Sequence, residues 1–115
     1  MRSRKSLLTE IVENPLPEPS VLNELYEYGW DCDHELVIIT KQHIYDILAT
    51  FTKKLLTAQQ VREWANRLEG REDIGYEGGG EGVVNEAIFW LANPYINYSI
   101  DEQIHKKIET LFDES

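Results

Sequence analysis

Cysteine is almost missing from this chain, with Cys32 the only one. That excludes an internal disulfide and, with no C-x-x-C or H-x-x-x-H spacing anywhere, a tetrahedral zinc set. It fits a reducing, cytoplasmic setting. Long hydrophobic runs are missing too. Apolar stretches such as Leu36 to Ile39 fall far short of the ~20 residues that span a bilayer. The opening MRSRKSLLTEIVENP breaks its apolar runs at Thr9 and Glu10 and has no small-residue cleavage site, so it does not read as a secretory signal. Positive charge is scarce. No Lys or Arg occurs from Ser6 to Thr40, and the whole chain carries 11 Lys plus Arg against 21 Asp plus Glu.

What is present is acid. The formal net charge is -10 over 115 residues, with a pI of about 4.6. A field of this sign repels phosphate backbones and anionic lipid, which speaks against direct nucleic-acid or membrane-surface binding. The basic residues Arg2, Arg4 and Lys5 and the pairs Lys53–Lys54 and Lys106–Lys107 are too scattered to line a groove. The acid is also uneven. One zone holds Glu10, Glu13, Glu18, Glu24, Glu27, Asp31, Asp33 and Glu35; a second holds Glu69, Glu72, Asp73, Glu77, Glu81 and Glu86 against the single Arg71. With 42% hydrophobic residues, the length suits one domain, 1–115, and one core.

Punctuation along the chain places the helices. Pro15, Pro17 and Pro19 alternate, so 1–19 is expected to be partly extended and any helix over Ser6 to Asn14 must end there. Leu22, Leu25 and Tyr26 suit a short helix that Gly29 can terminate. Residues 30–34 read as a turn, and 35–39 as a short extended lead-in to a helix. Thr40 can cap a helix whose stripe is Ile44, Ile47, Leu48, Phe51 and Leu55. Thr57 with Gln60 forms a capping box ahead of Val61, Trp64, Ala65 and Leu68, and Gly70 stops that helix. Residues 70–82 are glycine-rich and predict a mobile loop. Val84, Ala87, Ile88 and Leu91 mark a further helix before Pro94. Ser99 with Glu102 gives a second capping box before Ile100, Ile104, Ile108, Leu111 and Phe112. The expected fold is all-α, a single-domain bundle of four to five helices with a short extended segment near residues 35–39.

Chemistry-bearing constellations are few. Asp31, Cys32, Asp33 and His34 crowd potential ligands into a turn, with His43 and His105 elsewhere. The set is incomplete for zinc and lacks the alternating carboxylates and turn glycine of a calcium loop, so turn capping and simple packing account for it. No oxyanion donor accompanies Cys32 and His34 as a nucleophile and base. The run Gly78-Gly-Gly-Glu-Gly82 lacks the Gly-Lys-Ser/Thr of a phosphate loop, and Glu81 sits where a cation is needed. No catalytic residue, cofactor or metal site is therefore assigned. Tyr76 among carboxylates is the sort of surface that docks a basic protein. Trp64 and Trp90 fall on or beside apolar stripes, while Trp30 suits equally a place covering the core or one at its rim.

The strings Tyr28-Gly-Trp-Asp-Cys-Asp33, Leu56-Thr-Ala-Gln-Gln-Val-Arg-Glu-Trp-Ala-Asn66, Glu69-Gly-Arg-Glu-Asp-Ile74 and Phe89-Trp-Leu-Ala-Asn-Pro94 give the chain a resemblance to a group of small uncharacterised bacterial helical proteins. More distantly, the helix carrying Trp64 and Ala65 resembles the helical immunity proteins of the colicin D type. That resemblance implies tight binding to a toxin nuclease, with acidic side chains standing in for nucleic-acid phosphates; it carries over no individual residue. The expectation is a non-enzymatic acidic module that sequesters a basic protein partner, with Glu69, Glu72, Asp73, Tyr76, Glu77, Glu81, Trp30, Asp31 and Asp33 as contact residues. The alternative is a structural or regulatory subunit acting through homo-oligomerisation. A metal-dependent enzyme built on Asp31 to His34 stands third.

Overall fold

The computed structural model describes residues 2–28 and 34–113. Within them the chain forms α1 (Arg4–Glu13), α2 (Pro19–Tyr26), β1 (Val37–Ile39), α3 (Lys41–Thr52), α4 (Ala58–Leu68), β2 (Ile74–Tyr76), α5 (Val83–Ala92) and α6 (Ile104–Asp113). The architecture is mostly helical, but it is not the four- to five-helix all-α bundle expected: the described residues form six helices and a small two-stranded parallel sheet.

Local chemistry sets the helix ends. Ser3 caps α1 by accepting from the Ser6 amide, and the helix stops one residue before Asn14, ahead of the proline run. α2 opens with Pro19 in its first turn, where the missing amide is no loss. Val21 and Leu25 face inward and Tyr26 points outward. Thr40 caps α3 and Thr57 caps α4, each through a reciprocal pair of bonds; His43 supplies the return bond in the first and Gln60 in the second.

α4 packs most extensively on α5, while α6 lies against α3 and α5. Leu8 and Ile11 from α1, Trp64 and Leu68 from α4, and Ile88 and Leu91 from α5 are fully buried. Burying each such side chain stabilises the fold by about 1.5–3 kcal/mol. Trp64 also donates its indole Nε1–H to the Val12 carbonyl at 3.0 Å, satisfying an acceptor that the end of α1 leaves free.

Four expectations need correction. The 35–39 segment is more than a lead-in, because Val37–Ile39 pairs in parallel with Ile74–Tyr76. For the same reason 70–82 is not simply a mobile loop: its first half holds β2, and the Glu77 amide extends the pairing by donating to the Ile39 carbonyl at 2.8 Å. Leu55 does not continue the α3 stripe. That helix ends at Thr52, Lys54 takes a left-handed conformation with φ 64, and Leu55 is turned into solvent while Leu56 is buried. Ser99 does not start a helix. Asp101 instead accepts from the Gln103 amide at 2.9 Å, and α6 begins at Ile104. The proposed Gly29 stop and the turn at residues 30–33 lie outside the described residues.

Candidate functional site

The parallel register Val37↔Ile74, Ile38↔Gly75 and Ile39↔Tyr76 does more than join two strands. Each strand follows or interrupts one of the acidic zones, so the pairing draws the two zones together. The Leu36 amide donates to the Asp73 carbonyl at 2.9 Å, which sets Glu35 across from Gly75. The fit is close: a Cβ on Gly75 would stand 2.3 Å from the Glu35 Oε1 atom. Here the absence of a side chain is a steric need of the neighbouring carboxylate.

Tyr76 sits between these acids. Its phenol is pushed above the ordinary tyrosine value, first by burial, then by the charge of Glu69, with Glu35 adding to it against an opposing backbone hydrogen bond at Gly70. Glu69 comes from the end of α4 and accepts both its side-chain bonds from the Asn93 amide group, at 3.1 and 3.3 Å. Glu77 accepts from the Lys41 amide at 3.0 Å, placing a carboxylate at the positive end of α3. Glu35, Glu69 and Tyr76 thus form one group, with Glu77 next along the chain and turned to the start of α3.

Asp73 does not belong to it. It is 0% exposed, held by Arg71 Nε at 2.9 Å, Arg71 Nη2 at 2.9 Å and Arg4 Nε at 2.9 Å. Burial alone would raise its carboxyl; the bonds from Arg71 and then Arg4, with their charges, outweigh this and hold it below the ordinary aspartate value. Two guanidinium groups already satisfy it inside the protein.

Glu72 and Glu81 are exposed. Trp30, Asp31 and Asp33 lie outside the described residues, as does Cys32. His34 is exposed, His43 is committed to the Thr40 cap, and His105 stands 3.6 Å from Glu109. Among the described residues no group of three or more His, Cys, Asp or Glu side chains is placed to hold a metal.

Two participants escaped the sequence reading. Glu35 is adjacent to a β-branched run that marks it only once the partner strand is known. Asn93 begins a turn in which the Ile96 amide donates to the Asn93 carbonyl at 3.3 Å and the Asn97 side chain donates to it at 2.9 Å. That turn exposes Tyr95 by 85% and Ile96 by 72%. Beside it Trp90 is half-buried, donates to Glu86 at 2.7 Å and meets the Tyr98 ring edge-on at 4.8 Å.

Arg2 pairs with Glu24, and Arg4 and Arg71 pair with Asp73. Comparison with protein-family models, with curated proteins and with solved structures finds no match for this chain.

Proposed function

We propose that this protein is a non-enzymatic acidic module that captures a basic protein partner, in the manner of an immunity or antitoxin protein. One observation carries the reading: with β1 and β2 paired, Glu35 and Glu69 both act on Tyr76, and Glu77 follows it at the end of β2, bonded to the start of α3. A negative potential fixed on a rigid sheet end steers a cationic partner into encounter and loses strength as salt rises. A half-buried tyrosine amid the carboxylates adds an amphipathic contact that costs little side-chain entropy to order.

The test is affinity capture from the native cell extract at low salt, with the wild type and a Glu35→Gln, Glu69→Gln variant in parallel. Glutamine retains the acceptor that Asn93 uses, so the fold is preserved while charge is removed. The expected result is a basic chain retained by the wild type, eluted by salt and depleted on the variant. Retention of the same chain by both proteins, or of no basic chain by either, overturns the reading.

A further inference from the structure

The turn after α5 exposes more apolar surface than a connection needs, and its position gives that surface a use. We infer that Tyr95 and Ile96 are the apolar anchors of the acidic binding surface, and that the partner they fit is a basic protein face carrying an apolar socket ringed by Lys or Arg. This rests on the acidic-capture reading above.

Three observations place the anchors. First, the Asn93 side chain donates to Glu69 at 3.1 Å, so the turn begins at a member of the carboxylate group. Second, Arg62 lies over the Tyr95 ring at 5.0 Å. Arg62 lies within α4, and Glu69 caps its C-terminal end seven positions later. The turn therefore runs beside α4, from Glu69 toward Arg62. Third, the Ile96 amide bond and the Asn97 side-chain bond back to the Asn93 carbonyl brace the turn from within, while the guanidinium restrains the tyrosine. Rings held in place before binding lose less freedom on binding.

The division of labour follows from general behaviour at interfaces. Exposed carboxylates govern the encounter rate and its salt dependence, whereas a few desolvated aromatic and aliphatic side chains carry most of the residence time. The carboxylates select a cationic face. Tyr95 and Ile96 then select, among cationic faces, those that can bury them.

Two synthetic peptides of equal length and equal Lys content supply the test, one with Leu and Trp between the lysines and one with Gly and Ser. Both are titrated at low salt against the wild type, a Tyr95→Ser, Ile96→Ser variant and the Glu35→Gln, Glu69→Gln variant. Tyr95 and Ile96 are mostly exposed and the serine changes remove only the exposed Arg62–Tyr95 contact, so the serine variant is expected to keep the wild-type circular dichroism and nearly the wild-type unfolding midpoint. The expected result is that the wild type binds the apolar-bearing peptide at least about tenfold more tightly than the other, that the serine variant loses this advantage, and that the glutamine variant weakens both peptides alike. Equal loss-free binding of the apolar-bearing peptide by the serine variant overturns the inference and leaves acidic capture standing. Binding of that peptide through Tyr95 and Ile96, with no response to the glutamine changes, upholds the anchors and removes acidic capture. Failure of both peptides to bind the wild type overturns both.

Discussion

Arg4 and Asp73 are 69 residues apart in sequence, and the guanidinium Nε of the first lies 2.9 Å from the carboxylate Oδ2 of the second. With Arg71 closing the other side at 2.9 Å, the carboxylate ties the first turn of α1 to the approach of β2. Removing it leaves Arg71 buried without its counter-charge. Asp73→Asn is expected to destabilise the protein by about 3 kcal/mol, measured as a shift in the urea midpoint at neutral pH.

The same group gives a signed pH dependence. Its pKa is lower in the fold than in the unfolded chain, so its contribution is fully present above the unfolded aspartate value of about 3.9 and is lost as pH falls through the folded value. The stability gap between wild type and Asp73→Asn is therefore expected to narrow as pH drops below about 4. A gap that stays constant across urea titrations from neutral to acid pH refutes this account of the triad.

Trp64 bridges elements through both shape and a single polar atom. Trp64→Phe keeps an aromatic ring but opens a void and strands the Val12 carbonyl, at an expected cost of about 2–4 kcal/mol. Amide exchange near the end of α1 is expected to quicken in the variant more than exchange in α6, because the lost bond ends on Val12.

Tyr76 reports on its acidic neighbours. Burial is the main cause of its raised pKa and persists in Glu69→Gln, as does the charge of Glu35; the charge of Glu69 does not. The Tyr76 ring carbon, followed by NMR, is expected to titrate at lower pH in Glu69→Gln than in the wild type, while remaining above the free tyrosine value. An unmoved titration separates Glu69 from Tyr76.

Gly75 is a steric gate on Glu35. The atoms that an alanine methyl would meet are the Glu35 carboxylate end and Ile38 Cδ1, at 2.3 and 2.7 Å, both at the tips of side chains that can yield. Gly75→Ala is accordingly expected to change stability by less than about 1 kcal/mol while displacing Glu35. Denaturant unfolding checks the first part, and weakened retention of the lysine peptides checks the second.

How much of this was legible in the chain depends on how local each cause is. The stripes of α3, α4 and α5, the Thr57–Gln60 cap and the stop at the proline run are written in neighbouring residues. The strand pair is not: Ile74-Gly-Tyr76 is three residues between glycines, and its identity depends on a partner 37 residues earlier in the register. Asp73 looked like one more member of an acidic run because its two cations are set by folding, one of them on α1. The Ser99–Glu102 spacing misled, since a capping pattern marks a helix start only where the following turn can pack, and here the buried stripe begins at Ile104. Of the site, Glu69, Tyr76 and Glu77 were visible as charge around an aromatic. Glu35 joined them only through tertiary pairing, and Asn93 only through its bond to Glu69.

Because β1 and β2 run parallel, two whole helices intervene before the strands can meet, and such a long closure is completed late and lost early. Glu35 and Glu69 are neighbours only in chains that have finished that closure. A nascent, clipped or heat-damaged copy does not present the joined carboxylate surface, and a ligand that requires it draws the population toward the intact form in proportion to its own concentration.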